Sequence, residues 1–401
     1  MTPFFDAVKH FHFLCDENQP SKALGVLRAA EQYRSTPQEY VEQGLCYSRI
    51  GMFGDAEHAL NCAWPSLVPR EEVTIRAVQE MAAVKLHLEK FDEAAALEGL
   101  VMSRDWWRPP PGLPSDKQDE FRTVILDRII TQEQSVAGKD IFLLLAGGAG
   151  DVIEHSRYIQ CLIAEGVRTV FMDPNPPLWE LFSNSSIPVK LERATVNNIA
   201  RCDAVVFANL LHWRYRHADL SMLPPRGYMK STRQRKFSVR LSRSEEKMSV
   251  GIVWRSVNSS YQSCRHEPFR SMSLSSLEPI LASEKVIFYS LQYGDYSDAE
   301  RGMLERFGVL DASPYIRSFA DLADVMMQLD LVISIDSAPA HLAGALDVPV
   351  WNLLANVADW RWGPNDRKTT SLYPSMKLFR QRTLGDWTSV TADIAVEMLR
   401  M

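Results

Sequence analysis

The sequence lacks the features that mark disulfide-linked, secreted and membrane-spanning proteins. Its six cysteines include no Cys-x-x-Cys pair and form no regular framework, which predicts free thiols in a reducing compartment rather than disulfides or a zinc site. No stretch approaches the roughly 18 consecutive apolar residues of a transmembrane helix. The amino terminus shows no basic leader before an apolar run, so no signal peptide is expected. Together these absences predict a cytoplasmic protein.

An excess of positive charge is absent as well. The 401-residue chain carries 44 Lys and Arg against 50 Asp and Glu, a formal net charge of −6. This balance argues against binding a polyanion such as duplex DNA through the overall charge of the protein. Hydrophobic residues make up 46% and charged residues 23%, which is ordinary for a globular protein and excludes collagen-like and disordered classes. At roughly 100–200 residues per domain, the length predicts two to four domains.

The first hundred residues have helical periodicity and few strand signals. Three segments, 19–23, 53–56 and 91–94, each place an alanine just after a short turn, and these alanines are 33 and 38 residues apart. A small residue there lets two helices pack closely, and the spacing is similar to that of tetratricopeptide repeats. We therefore predict a tetratricopeptide-like helical domain over residues 1–110, with a non-repeating helical bundle as the alternative.

A proline-rich stretch at 106–115 is the clearest domain junction, because successive prolines fix φ and remove backbone donors. Beyond it, short apolar runs alternate with helical stretches, among them 116–134 and 152–165, as in parallel sheets with crossover helices. The predicted strands are 141–145, 169–172, 204–207, 249–254, 286–290, 331–335 and 348–351. This α/β pattern predicts two Rossmann-like domains, 111–245 and 246–401.

Positive charge is concentrated between these two predicted domains. Residues 214–247 hold ten Lys and Arg against three Asp and Glu. The simplest interpretation is a flexible, solvated connector, and the alternative is a contribution to an anionic acceptor or phosphate site. Nucleic-acid binding is a third hypothesis, and the negative net charge and the lack of a recognisable DNA or RNA module argue against it.

Two loops at the ends of predicted strands carry small residues. The first, Ala146-Gly-Gly-Ala-Gly-Asp151, lies where a strand turns into a helix. Glycines there let a ligand approach the backbone amides at a helix amino terminus. The spacing does not match the dinucleotide motif Gly-x-Gly-x-x-Gly, so a simple turn is the alternative interpretation.

The second loop, Asp336-Ser-Ala-Pro-Ala-His341, follows an apolar strand and opens a helix of small residues. We expect Ser337 to cap this helix and Pro339 to occupy an early position, where its missing N–H is not needed. Free amides and the helix dipole then favour an anion, and a diphosphate fits. Asp336 lies where open α/β sheets bind ligands. His341 is placed to reach the same anion, with a buried packing role as the alternative.

A series of ordered motifs runs from about residue 248 to 390. They are Val250-Gly-Ile-Val-Trp254, Arg270-Ser271, Ser290-Leu-Gln292, Asp321-Leu-Ala323, Leu329-Asp-Leu-Val332, Asp336-Ser-Ala-Pro-Ala-His-Leu-Ala-Gly-Ala345, Asp359-Trp-Arg-Trp362, Tyr373-Pro-Ser-Met-Lys-Leu-Phe-Arg-Gln381 and Gly385-Asp-Trp387. The amino-terminal half contributes Gly150-Asp151-Val-Ile153 and Arg157-Tyr158. The series resembles bacterial tetratricopeptide-containing glycosyltransferases, which are related to heptosyltransferases and more distantly to O-GlcNAc transferases.

The resemblance implies the GT-B fold, in which two Rossmann-like domains face each other across a cleft. The nucleotide-sugar donor then sits mainly on the second domain. Gln292 would contact its base, and Ser337 and Ala338 would offer backbone amides to its diphosphate, with His341 beside them.

The resemblance also implies roles around the reacting bond. Asp336 would face the donor sugar or the ribose hydroxyls, and Arg255 or Arg270, chosen by position alone, would neutralise the departing diphosphate. An inverting transfer needs a base for the acceptor hydroxyl. Asp151 matches the Gly-Asp that supplies this base in heptosyltransferase-like enzymes, with a structural helix cap as its alternative role. His155 is the competing candidate.

The leading hypothesis is a glycosyltransferase that acts on a hydroxyl of a protein or small-molecule acceptor. Because the sequence has no Asp-x-Asp motif, we expect no metal, and no cofactor beyond the nucleotide-sugar co-substrate. The helical repeats would recruit the acceptor or a protein partner. The alternative is a non-catalytic adaptor with a degenerate transferase fold. The chain departs from the family at Gly148-Ala149 and after Trp254, so donor and acceptor identity are left open.

Overall fold

The computed structural model describes residues 2–69, 71–103, 107, 115–131, 133–216, 227–230, 241, 246–256 and 267–400. Within these residues the chain forms one helical region and two parallel β-sheets with helices packed on them. Most of the proline-rich junction and most of the basic stretch 214–247 lie outside the described residues. The predictions made for those segments therefore stay predictions.

The helical region consists of α1 Pro3–Asp16, α2 Pro20–Ala30, α3 Pro37–Arg49, α4 Phe53–Ala63, α5 Glu72–His87 and α6 Phe91–Val101. Consecutive helices pack as pairs, α1 with α2, α3 with α4, and α5 with α6. Ala23, Ala56 and Ala94 each lie in the second helix of a pair and are fully buried, as close packing of the pairs requires. The region is helical as predicted, and its tetratricopeptide character stays a prediction.

Local signals define where helix α3 begins and how it packs. The Thr36 hydroxyl accepts the N–H of Glu39, whose carboxylate accepts the N–H of Thr36 in return, a reciprocal arrangement that satisfies two free helical donors. Hydrogen bonds from Thr2 and from the backbone of Ser35 lower the pKa of Glu39 to about 2. Further along the helix, Gly44 faces α4 so closely that a Cβ would lie 2.6 Å from Leu60 Cγ.

The first sheet has four parallel strands in the order β3-β2-β1-β4, namely β1 Asp140–Leu144, β2 Thr169–Met172, β3 Lys190–Leu191 and β4 Ala204–Phe207. Its helices are α7 Ser115–Leu126, α8 Ala149–His155, α9 Ile159–Ala164, α10 Pro176–Ser183, α11 Val196–Ala200 and α12 Leu211–Arg214. The three strands predicted in this part of the chain are present, and β3 is a short edge strand that the sequence did not reveal.

Two predicted helices are shorter than expected. Helix α7 ends at Leu126 rather than at 134, because Ile129 pairs with Val205 at the side of the sheet. The helix predicted over 152–165 is divided into α8 and α9 by a tighter turn at Ser156–Tyr158. The hydroxyl of Ser156 donates to the carbonyl of Ile153 at 2.7 Å, and such local bonds compete with regular helix geometry.

The second sheet has six parallel strands in the order β10-β9-β8-β5-β6-β7, namely β5 Met248–Val253, β6 Val286–Ser290, β7 Leu310–Asp311, β8 Leu331–Ile335, β9 Val350–Leu354 and β10 Met376–Arg380. Its helices are α13 Glu267–Arg270, α14 Glu278–Leu281, α15 Asp298–Arg306, α16 Phe319–Met326, α17 Ala338–Ala345 and α18 Trp387–Met398. Strand β8 is buried along its whole length, as expected for a strand covered by helices on both faces.

The two sheets meet through α8, which follows β1, and α17, which follows β8. A Cβ at Gly150 of α8 would lie 2.9 Å from His341 Cδ2 and 3.4 Å from Ala338 Cα. On its other side α17 is equally close to its neighbours, since a Cβ at Gly344 would lie 2.4 Å from the Tyr373 ring. Gly150 therefore allows the two halves to touch, and Gly344 allows α17 to pack closely on the second half.

The helical region packs against both sheets. Phe269 and Ala355, from the second half, lie in the hydrophobic cluster of α1 to α5. The indole N–H of Trp213, from the first half, donates to Glu98 Oε2 of α6 at 2.8 Å. Within the described residues, no helix is both long and apolar enough to cross a membrane.

We expect Gly44→Ala to lower the free energy of unfolding by about 1–3 kcal/mol, because the added methyl group overpacks the α3–α4 contact. Gly99→Ala in α6 is the matched control, since a Cβ there meets no atom within 4 Å and alanine favours a helix over glycine. Urea unfolding of both variants tests this. Equal stabilisation of the two variants would show that the α3–α4 contact is not tight.

Candidate active site

A cleft of about 710 Å³ lies between the two sheets, where their strands end, and Ala83 and His87 of α5 form part of its wall. Eight of the nine residues that the sequence singled out line this cleft, namely Asp151, Arg255, Arg270, Gln292, Asp336, Ser337, Ala338 and His341. The ninth, His155, lines a separate and smaller cavity. The fold thus gathers residues from five loops that are up to 190 positions apart in the chain.

The amino terminus of α17 faces the cleft. Ser337 occupies the position before the helix, but its hydroxyl donates to the Ile335 carbonyl at 3.1 Å and makes no cap bond. The expected Ser337 cap is therefore wrong, because the carbonyl at the end of β8 attracts the hydroxyl instead. Pro339 lies in the first turn as expected. Backbone amides at this end, including that of Ala338, are oriented to favour an anion in the cleft.

His341 is buried between α17 and two aromatic rings. Its Nδ1 is 2.9 Å from the Tyr373 hydroxyl, and its ring packs on Trp362. Its Nε2 is 3.9 Å from Asp336 Oδ1. Burial lowers the pKa of His341, and the nearby Arg361 guanidinium lowers it further, so the ring is neutral at pH 7. His341 packs in the core and also lines the cleft, and its contact with an anion stays a prediction.

The Gln292 side chain is used entirely by neighbouring backbone. Its Oε1 accepts the N–H groups of Trp254 and Arg255, and its Nε2 donates to the carbonyls of Arg255 and Tyr293. Gln292 therefore ties the end of β5 to the end of β6. Tyr293, next in the chain, has 69% of its surface exposed and lines the cleft. Contact of Gln292 with a base stays a prediction.

The two candidate arginines differ in their pairing. Arg255 donates through Nε to Glu300 Oε1 at 3.2 Å, an oxygen that also accepts the Trp254 indole N–H. Arg270 donates through Nη2 to the Ser256 hydroxyl at 2.9 Å. Both guanidinium groups line the cleft on the side of the second sheet.

A buried ion cluster crosses from one half to the other. The guanidinium of Arg361 donates to Asp151 Oδ1 at 2.8 Å, to Glu154 Oε2 at 2.6 Å and to Asp359 Oδ1 at 3.0 Å. Asp151 and Glu154 belong to α8, whereas Asp359 and Arg361 follow β9. The other carboxylate oxygen of Asp151 accepts the N–H of Gly148 at 2.7 Å. Asp151 thus caps α8 and also pairs with the opposite domain.

The charges of this cluster determine its protonation states. Burial, the largest single influence, would raise the pKa of each carboxyl group, but the Arg361 guanidinium together with the other nearby donors and positive groups outweighs burial, so the pKa values of Asp151, Glu154 and Asp359 lie below the usual range. Burial would lower the pKa of Arg361, and the carboxylates hold it well above its usual value instead. The cluster therefore holds three carboxylates and one guanidinium in ionised form.

Sequence reasoning missed Arg361, Glu154 and Asp359 as members of the site. The motif Asp359-Trp-Arg-Trp362 belongs to the series that carries the resemblance, and Glu154 lies one helical turn after Asp151. That turn puts both carboxylates on one face of α8, which is the signal that points to a shared cation. Within the residues the structure describes, no group of three or more His, Cys, Asp or Glu side chains is arranged to hold a metal ion.

Comparison with known families finds one match in the second half of the chain. Residues 317–383 match the family described as glycosyltransferase family 9 (heptosyltransferase). Among curated proteins, Protein FlbA of Caulobacter vibrioides is 31% identical over 155 residues, which cover 37% of this chain and 24% of FlbA. The chain thus aligns with about a quarter of the length of that relative.

Solved structures resemble the fold at low sequence identity. A glycosyl transferase family 9 protein from Veillonella parvula is 11% identical with a TM-score of 0.42, covering 67% of this chain and 98% of its own. The E. coli heptosyltransferase WaaC with ADP-2-deoxy-2-fluoro heptose is 12% identical with a TM-score of 0.40, covering 65% and 99%. A Thermobaculum terrenum O-GlcNAc transferase mutant is 12% identical with a TM-score of 0.31, covering 99% and 90%.

We expect Arg361→Gln to lower the free energy of unfolding at pH 7 by about 3–5 kcal/mol, because three buried carboxylates lose their cation. In the wild type the carboxyl pKa values are lower in the folded than in the unfolded state. The ion cluster therefore stabilises the fold above about pH 4 and loses this effect as the pH falls through the lower native values.

In Arg361→Gln the pH dependence of stability should reverse, because burial without the guanidinium raises the pKa values of the same carboxyl groups. The variant should regain part of its lost free energy of unfolding when the pH is lowered from 7 to 5. Urea unfolding at both pH values measures this. Arg382→Gln, which breaks an exposed pair with Asp393, is the control and should leave the midpoint nearly unchanged. Identical midpoints for the two variants would contradict the proposed importance of the cluster.

Proposed function

We propose that the protein is a glycosyltransferase that moves a sugar from a nucleotide-sugar donor to a hydroxyl of a protein or small-molecule acceptor. One observation carries the proposal. The segment 317–383, which matches glycosyltransferase family 9, supplies Asp336, the α17 amino terminus and Arg361 to the cleft. Asp336 and the α17 amino terminus line the cleft together with Asp151, and Arg361 pairs directly with Asp151, an arrangement that supports an anion site beside a general base.

On the donor side, the proposal places the diphosphate at the amino terminus of α17. Free amides and the helix dipole stabilise a negative charge there without a metal. Arg255 and Arg270 line the same wall and add positive charge. Asp336 faces the hydroxyls of the donor sugar or the ribose. Gln292 then contributes by holding the backbone of Arg255 and Tyr293, which shapes the site for the base of the nucleotide.

In this proposal Asp151 is the general base that takes the proton of the acceptor hydroxyl. The acceptor oxygen forms a bond to the anomeric carbon of the sugar, the bond from that carbon to the diphosphate oxygen breaks, and the electron pair leaves with the diphosphate. The acceptor proton passes to the Asp151 carboxylate. Because Arg361 holds the pKa of Asp151 low, this carboxylate is ionised at neutral pH and takes the proton only as the hydroxyl becomes acidic. Attack from the side opposite the diphosphate gives inversion.

The location of His155 favours Asp151 in this role. His155 lines the smaller cavity behind Asp151 rather than the cleft. A base must lie within hydrogen-bond reach of the proton that it removes, and Asp151 is the group of the two that borders both spaces.

We expect one of UDP, GDP, ADP or dTDP to raise the melting temperature, since a nucleotide at 100 times its Kd adds about 2.7 kcal/mol of stability. Asp336→Ala should abolish this response through loss of a hydroxyl contact. Asp298→Ala, which removes an exposed carboxylate at the start of α15, is the control and should retain it. No shift with any of the four nucleotides would exclude the donor site.

We expect Asp151→Asn to reduce sugar transfer by about 10²–10⁴-fold, the contribution of a general base, while nucleotide binding persists. The assay is product formation by mass spectrometry, with nucleotide-induced thermal shift measured in parallel. His155→Gln separates the two candidates. Loss of transfer in His155→Gln with activity retained in Asp151→Asn would move the base to His155, and no transfer by the wild type with any donor would favour an adaptor.

A further inference from the structure

A second cavity lies behind Asp151, where all three parts of the fold meet. Its volume is about 160 Å³, enough for about five water molecules. Its wall combines Glu98 of α6, His155 of α8, Asn209 and His212 from the chain after β4, and Trp360 and Arg361 from the loop after β9. Asp151 and Arg361 line both this cavity and the cleft, so the two spaces are neighbours.

Three polar atoms of this wall are buried and have no hydrogen-bond partner in the part of the chain that the structure describes. They are His155 Nδ1, Asn209 Oδ1 and His212 Nε2. His155 is 92% buried, and a buried polar group without a hydrogen-bond partner is destabilising. Three such atoms around one space point to an occupant that forms hydrogen bonds with them.

The charge around the cavity is negative. Glu98, Asp151 and Glu154 line it and face the single guanidinium of Arg361, which also pairs with Asp359 outside the cavity. The histidines do not offset this charge. Burial lowers the pKa of His155 and lowers that of His212 to about 3, so both rings are neutral at pH 7.

We propose that this cavity is a subsite for a primary ammonium group of the acceptor. An ammonium has three N–H donors and no acceptor. These donors match Asn209 Oδ1 and, in the ring tautomers that leave them unprotonated, His155 Nδ1 and His212 Nε2, and the positive charge complements the surrounding carboxylates. A neutral hydroxyl supplies one donor and leaves the charge uncompensated. This inference rests on the proposed function in one respect, that the bound molecule is the sugar acceptor.

The position of the subsite defines the class of acceptor. The ammonium lies on one side of Asp151 and the cleft on the other, so the hydroxyl that receives the sugar must be close to the amino group within the same molecule. The acceptor is therefore an amino alcohol, or a polypeptide that presents a free amine next to the modified hydroxyl. Glu98 makes the helical region part of this subsite.

The test uses the full chain with ¹³C-labelled histidine and two probes of equal size, ethanolamine and ethylene glycol. Ethanolamine should shift the ring signals of His155 and His212 saturably at pH 7, and the exposed His58 should not respond. Ethylene glycol should leave all three unchanged. Equal shifts with both probes, or none with ethanolamine at any concentration, would overturn the proposal.

Two variants make the result specific to the subsite. Glu98→Gln should weaken ethanolamine binding on the order of tenfold, as expected for the loss of one charge-assisted contact, and Asn209→Leu should weaken it independently by removing an orphaned acceptor. Asp92→Asn, an exposed carboxylate on the same helix, is the control and should bind as the wild type does. Unchanged binding in both Glu98→Gln and Asn209→Leu would place ethanolamine elsewhere.

Nucleotide-induced thermal shift, measured on the same samples, separates this proposal from the proposed function. A nucleotide response without ethanolamine binding would remove the subsite and leave the donor site intact. Ethanolamine binding in a protein that responds to no nucleotide would overturn the acceptor role assigned to the ammonium.

Discussion

The pairing of Arg361 with carboxylates from both halves of the molecule is the interaction on which the rest of the site depends. One buried guanidinium holds Asp151 and Glu154 of α8 beside Asp359 of the opposite loop. It joins the two halves, holds one oxygen of the Asp151 carboxylate and favours the ionised state of that carboxylate. Because desolvating these charges is expensive, the cluster is better explained by what it positions than by any stability it adds.

Close packing of backbone complements this ionic contact. Gly150 and Gly344 allow α17 to lie between α8 and Tyr373 without a clash, and this narrow fit carries His341 to the inner wall of the cleft. A polar contact and a steric fit therefore act on the same pair of helices.

The sequence predicted local features well and relations between distant segments poorly. Apolar runs identified the buried strands, because a strand covered on both faces must be continuously hydrophobic. Short edge strands such as β3 and β7 carry two residues each and leave no such pattern. The Ser337 hydroxyl was assigned to a cap because local spacing favours one, but a carbonyl at the end of β8 competes for it. The role of Arg361 does not follow from its neighbours in sequence, since two of its partners, Asp151 and Glu154, lie about 200 residues earlier.

The helical region shares its hydrophobic interior with the second half of the chain. Phe269 and Ala355 sit within its cluster, and its α5 supplies part of the cleft wall. It is therefore an integral part of the fold rather than a separable accessory, and its removal would expose apolar surface and open the cleft at once. Any change in the packing of α5 is thereby transmitted to the wall of the cleft.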